Sequence, residues 1–360
     1  VNGALYPSGV TSPTHAAAQA ANSFTGRRPR RARRLLLAIL VLALVLGTAH
    51  AALLWWMSGQ IQGALEHWAS LRRAQGWQVE YATPERGGWP FDAALRLPSV
   101  RLATGGLEWR AEALRLSVTP EHHDRLRLDV QGAQQLSLGG PPMPLQTNTL
   151  RAELALNGNA PPLAGTLTGT VLRLDSPPGP VVLEGLQAAF DAAGPASATA
   201  LTARLHGLVL PGNQPLGSRL EEITLQAMLH GDVPASGPVA QRATAWRDAG
   251  GRLEVQGMTL RWGAMAASAA ATLAVDEALQ PSGAGTLRIA NPAQALDALA
   301  AGGLVPPRTA ATARQILPLL TRLDPANGGV PLIELPVTLE KGALSAARIP
   351  LLRLPPVRWP

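Results

Sequence analysis

Side chains able to do chemistry are few in this chain, and their spacing is poor. His122-His123-Asp124 offers two imidazoles and a carboxylate, the ligand types a zinc site uses. They fall in a polar stretch between two strand patterns, and further ligands would have to come from distant chain, so a solvated loop is the simpler reading. Glu221-Glu222 is an adjacent carboxylate pair. On a strand, neighbours point to opposite faces, which is wrong for an acid–base dyad, so the pair reads as a charged strand end. Gly283-Ala284-Gly285 opens like a phosphate loop but continues Thr-Leu-Arg. The single lysine, Lys341, precedes Gly342 in a turn, and no G-x-x-x-x-G-K-[ST] or G-x-S-x-G motif occurs. There is no cysteine, which excludes disulfides and thiol chemistry. The expectation is a protein that is not an enzyme, with no cofactor and no metal. Trp89-Pro90-Phe91 carries two readings: an aromatic corner lining a lipid entrance, or a bend before the first long strand whose rings cap the core.

The elements that must position these residues are organised around Leu35–Trp56, LLLAILVLALVLGTAHAALLWW. It contains no charge and is long enough to cross a bilayer as a helix, which takes about 20 apolar residues. Arg27, Arg28, Arg30, Arg31, Arg33 and Arg34 precede it. Such a positive flank stays on the cytoplasmic side. The expected topology is a single-pass protein of the bacterial inner membrane, N-terminus cytoplasmic, main domain periplasmic. Ala49-His50-Ala51 would fit signal-peptide cleavage. The apolar run continues past it to Trp55 and Trp56, beyond the usual h-region of about 7–15 residues, and this favours a retained anchor. The two tryptophans suit an interfacial belt.

The charge follows from this topology. The chain carries 31 basic and 24 acidic residues, a net +7. Setting aside the six arginines before Leu35 leaves 25 basic against 24 acidic residues. The basicity is therefore a topology signal, and no nucleic-acid footprint is left.

Four segments are expected. Residues 1–34 form a basic cytoplasmic tail without apolar period, 35–56 the anchor, 57–76 an amphipathic helix and 77–360 a β-rich domain. Within the helix, Ile61, Leu65, Trp68 and Leu71 make one stripe, and Gly76 stops it. From Trp77 onward the apolar period is two. Leu107, Trp109 and Ala111 alternate with Glu108, Arg110 and Glu112. The parity then shifts to Leu114, Leu116 and Val118, which predicts a bulge or break near Ala113. Further strands are read at Leu126–Val130, Leu150–Leu156, Leu163–Leu174, Leu201–Leu210, Ile223–Leu229, Leu253–Trp262, Ala267–Val275, Gly285–Ile289, Ile333–Leu339 and Leu344–Leu354. Helices are expected at Val239–Asp248, after the cap Asn291-Pro292, and at Thr309–Leu320. A loose repeat links residues 105–118 and 250–263: each runs Gly-Gly, strand, short break, strand.

The basic-flanked anchor, the amphipathic helix, Arg86-Gly87-Gly88-Trp89-Pro90-Phe91 running into DAALRLPSVRL, Trp109-Arg110-Ala111-Glu112-Ala113-Leu114 and the later G-x-L-x-V-x-x-x-x-L-x-W-G segment resemble the bacterial DUF2125 family of uncharacterised envelope proteins. More distantly the pattern is similar to AsmA-like proteins. The distant resemblance implies long curved β-sheets and a role in moving or ordering lipid. The near one implies no established activity.

The expected fold is mostly β: an N-terminal transmembrane helix, then a long curved antiparallel sheet of about ten or more strands, partly covered by a few helices. Ala267, Ala269, Ala271 and Leu273 would lie on one apolar face, roomy enough for acyl chains if the face is open. The partners expected are the membrane, phospholipid or acyl chains, and other envelope proteins. Two functions follow. One is a non-enzymatic periplasmic protein that binds or transfers lipid or supports envelope assembly. The other is an interaction module with a covered sheet and no groove.

Overall fold

A computed structural model describes residues 30–157, 162–192, 198–214, 216–234, 237–303, 305–324, 329–346, 349–357 and 359. Arg27 and Arg28 lie outside them. The chain divides into two compact units, Val1–Ala52 and Leu53–Pro360.

The described part of the first unit is helical. It is the N-terminal portion of α1 (Arg30–Ala74). The side chains from Arg33 to Ala49 are exposed, and this helix is long and apolar enough to cross a membrane. The anchor and the amphipathic helix expected as separate segments are thus one continuous element. No glycine, proline or polar cap between Trp56 and Ala74 is strong enough to interrupt it.

The second unit starts with the rest of α1 and continues as one antiparallel sheet. Its first strands are β1 (Gln78–Glu80), β2 (Glu85–Gly87), β3 (Ala93–Thr104), β4 (Leu107–Thr119) and β5 (His122–Leu138). Then come β6 (Met143–Ala155), β7 (Ala164–Ser176), β8 (Gly179–Asp191), β9 (Ala198–Val209) and β10 (Arg219–His230). After α2 (Val239–Asp248) follow β11 (Arg252–Trp262), β12 (Met265–Val275) and β13 (Pro281–Ala290). Two helices, α3 (Pro292–Ala301) and α4 (Pro307–Leu320), precede β14 (Arg322–Asp324), β15 (Val330–Glu340), β16 (Ala343–Ala346) and β17 (Ile349–Arg353).

Strands β3 to β13 lie side by side in chain order, each paired antiparallel with the next. The short strands β1 and β2 share the outer edge of β3. At the other end β13 pairs with β15, whose far edge takes both β14 and β16, and β17 follows β16. This is a meander with one helical excursion, α3–α4. A sheet this wide curls.

Local breaks in the alternation keep one face apolar. Ser99, Gly132, Val171 and Gly207 have positive φ (52°, 75°, 48° and 65°) and occur on β3, β5, β7 and β9. On the strands between, Glu112, Asn148, Glu184 and Glu221 fall opposite them by register. Together they form a crease crossing the strands from β3 to β10. An extra or left-handed residue shifts the two-residue period by one. On β3 the inward set changes there from Leu95 and Leu97 to Val100 and Leu102, all within one hydrophobic cluster. The predicted break near Ala113 is this crease, with a register shift between Ala111 and Ala113. The second half of the loose repeat carries its own shift, between Val255 and Met258.

The densest core lies beneath α1. Leu54, Met57 and Ile61 pack on Ala93, Leu95, Leu97, Val100, Leu116 and Val118, with Leu65 beside them. Burying each large side chain there contributes about 1.5–3 kcal/mol. Ala69 continues the stripe with no exposed surface. The sequence-predicted stripe is corrected at its end: Trp68 and Leu71 are exposed (37% and 42%). The spacing of three and four residues from Leu54 through Ala69 carries the buried line past them, and Trp68 instead lies beside the Arg72 guanidinium, 5.9 Å from the ring centre.

Other local expectations differ in detail. Leu344–Leu354 is two strands, since β16 stops at Ala346 and β17 starts at Ile349. Asn291 precedes α3 in a left-handed conformation, with no side-chain cap. Strand β8 has no clean period in the sequence. Its apolar set switches from Val181 and Leu183 to Leu186, Ala188 and Phe190 across Glu184.

Candidate functional site

The two faces of the sheet have opposite chemistry. In an antiparallel pair, residues directly opposite share a face. One row therefore reads strand by strand from β3: Leu95, Leu116, Leu128, Ala152, Leu167, Ala188. It continues through Ala203, Leu225, Met258, Ala269, Leu287 and Leu335 on β15. No polar residue interrupts it. At the sheet spacing of about 4.8 Å per strand, the row runs on the order of 50 Å along the sheet. A neighbouring row, Leu154–Gly165–Phe190–Leu201–Ala227–Val255–Ala271, repeats the pattern.

The cover over this face is uneven. Leu95 under α1 has no exposed surface. Among the described residues, none of the large apolar side chains between Val118 and Ala198 is fully buried. Leu128, Leu150, Leu154, Leu167, Leu172, Leu186 and Phe190 are all half-buried. A layer packed over the sheet would close them as it closes Leu95. Small residues widen the face: the Phe190 ring lies across Gly165, where a Cβ would meet it at 2.5 Å. Ala267, Ala269, Ala271 and Leu273 lie on this same face, half-buried, opposite Leu260, Met258, Val255 and Leu253.

The other face is a lattice of ion pairs. Arg127 meets Glu153 at 3.1 Å, Arg151 meets Asp129 at 2.6 Å, and Arg288 meets Glu334 at 3.0 Å, each across one strand boundary. Glu222 is shared by Arg204 (2.7 Å) and Arg261 (3.0 Å), and hydrogen bonding from Arg204, more than from Arg261, lowers its carboxyl pKa. Hydrogen bonds from Arg101 and then Arg110 lower Glu108 to about 2. Glu184 pairs with Arg219 at 2.7 and 2.8 Å, and that contact lowers its pKa. These pairs are exposed, where such contacts contribute little to stability; they keep the outer face wetted.

The residues singled out for chemistry are scattered. His122, His123 and Asp124 are exposed at the start of β5, not in a loop between strands. Glu221 accepts a hydrogen bond from the Gly263 amide at 3.1 Å while Glu222 serves its arginines, so the two carboxylates work apart. Gly283 and Gly285 belong to β13, where a Cβ would meet the backbone of β12 at 2.1 and 2.3 Å. Lys341 and Gly342 form the β15–β16 turn with positive φ at both positions. Of the arginines before the apolar run, Arg33 and Arg34 are exposed on α1.

Trp89 and Phe91 do not cap the core. They are 67% and 81% exposed at the tip of the β2–β3 hairpin. The turn is held from below instead: Asp92 receives two hydrogen bonds from Arg115 at 2.7 and 2.9 Å. Trp55 and Trp56 are also exposed (67% and 58%).

A family model described as "Uncharacterized protein conserved in bacteria (DUF2125)" matches residues 55–355. The chain belongs to the DUF2125 family. The match takes in every strand of the sheet and, except for Leu54, the α1 residues that pack on it, so the apolar face lies within the DUF2125 region. No curated protein and no solved structure matches the chain.

Proposed function

We propose that this DUF2125 protein is held in the bacterial inner membrane by Leu35–Trp56, with its sheet on the periplasmic side, and that the apolar face of the sheet binds the acyl chains of phospholipid. The observation that carries this reading is the unbroken apolar row from Leu95 to Leu335, sealed by α1 at one end and elsewhere half-buried, or exposed at Met258. A monomer rarely leaves a contiguous apolar patch larger than a few hundred Å² without a use for it. The row is longer than one leaflet of a bilayer whose core is about 30 Å thick, so it has the dimensions of a track rather than a single closed pocket. It also begins beside Leu54, the last buried residue before the apolar run gives way to tryptophan. Chains leaving a membrane at that level would meet apolar surface without a polar gap. The protein's own part in this is binding and conduction.

The test is native mass spectrometry of the full chain released from mild detergent, with extraction and identification of bound lipid. Phospholipid at fixed stoichiometry, lost in a Leu167→Asp variant that keeps its strand signal by circular dichroism, is the expected result. A folded wild-type chain free of lipid would overturn the reading and favour an envelope interaction module.

A further inference from the structure

The tip of the β2–β3 hairpin has no role in the apolar face, yet it is built with care. Gly88 opens the turn at φ +94°, and a Cβ there would meet Asp92 at 2.2 Å. The amides of Phe91 and Asp92 both donate to the Gly88 carbonyl at 3.0 Å. Asp92 is then clamped by Arg115 of β4. The result is a braced turn whose two aromatic residues, Trp89 and Phe91, are largely exposed.

The hairpin is also fixed to one level of α1. The Arg86 guanidinium stacks over the Trp55 ring at 5.1 Å from its centre, and Arg86 Nη2 donates to Gln62 Oε1 at 3.2 Å. Trp55 is the penultimate residue of the apolar run. Tryptophan at such a boundary marks the level of the lipid headgroups. A cation stacked on an aromatic ring thereby ties the hairpin to the place where the chain leaves the bilayer. Trp55, Trp56, Trp89 and Phe91 are all exposed.

We infer that Trp89 and Phe91 dip into the headgroup region of the bilayer that holds the anchor, making the hairpin tip a second point of attachment to the lipid surface beside the helix. This rests on reading Leu35–Trp56 as a membrane span. With two points of attachment, the end of the apolar face under α1 is held at the membrane surface. The occupant is the bilayer itself, because the patch is continuous with the tryptophan belt of the span through the Arg86–Trp55 contact.

The absence of cysteine allows a direct test on the full chain. Single variants Phe91→Cys, Trp89→Cys and Leu42→Cys carry a nitroxide label and are reconstituted in vesicles of phosphatidylethanolamine and phosphatidylglycerol. Collision with oxygen, which concentrates in lipid, is compared with collision with a water-soluble nickel chelate. All three sites are exposed on the protein surface, so labelling removes no packing. The expected result is a loss of nickel accessibility at Phe91 and Trp89 on reconstitution, in the same sense as at Leu42 but shallower. Nickel access at Phe91 and Trp89 with Leu42 in lipid would overturn the inference and leave the span intact. Shielding of Phe91 from both reagents would mean a protein contact and would also overturn it. Nickel access at Leu42 would remove the span reading and the inference with it.

Discussion

Leu95 and Leu167 sit in the same cross-strand row but under different cover, and truncating each to alanine measures that difference. Leu95 has no exposed surface and lies between Leu116 and the α1 side chains. Leu95→Ala leaves a cavity that the helix above and the sheet below cannot both close, which costs about 2–5 kcal/mol. Leu167 faces Ala152 and Ala188, two small neighbours, and is half-buried. Removing its outer carbons forfeits roughly half of their transfer free energy, on the order of 1 kcal/mol, and opens no closed cavity. The assay is urea unfolding of the full chain followed by far-ultraviolet circular dichroism, with both variants in one detergent and ΔΔG taken from midpoint and slope. The expected ratio of costs is at least about twofold. Equal costs, with Leu167→Ala also above about 2 kcal/mol, would refute the reasoning: the middle of the face would then lie under a second layer, and a binding surface for acyl chains would have no room.

Two further outcomes follow from the crease and from the wetted face. Gly207 has φ +65°, and a Cβ would meet the Glu184 carboxylate at 2.2 Å, so Gly207→Val destabilises by more than the roughly 1–2 kcal/mol of a left-handed non-glycine residue, while Val171→Gly, relieving a β-branched residue at φ +48°, lowers stability less or raises it; the same unfolding experiment compares them. Glu108, depressed from 4.5 to about 2 by Arg101 and Arg110, contributes stability that is present above its unfolded value of 4.5 and is lost as pH falls through about 2. Glu108→Gln should therefore flatten the stability profile between those two values, and added salt should shrink the difference between variant and wild type. An unchanged profile would show that the arginine pair does not hold this carboxylate in solution.

Much of this architecture is legible in one dimension because it depends on period and punctuation. The uncharged run from Leu35 to Trp56, its arginine flank, the two-residue alternation and the late helices before and after Pro306 are all local signals. Sequence-adjacent strands pair with one another almost throughout, so chain order alone yields the meander. Strand β8 escaped because Glu184 sits on the crease and switches the parity mid-strand. Val171 and Ser99 adopt positive φ without any residue signature for it. The end of the α1 stripe was misplaced because Ala69 buries as well as any larger side chain, whereas Trp68 has a cation to lie on.

What the chain alone determined, then, is an apolar helix and a two-faced antiparallel sheet. Alternation states which residues share a face; it says nothing of what lies over that face. Only the tertiary structure decided that α1 seals Leu95 while Leu167 stays half-open, that the crease keeps the apolar rows on one side from β3 to β10, and that Trp89 and Phe91 point away from the core. Each of these depends on contacts between segments far apart in sequence. A period of two or of 3.6 records local backbone geometry, and cover, register across many strands and exposure are set by neighbours the period cannot name.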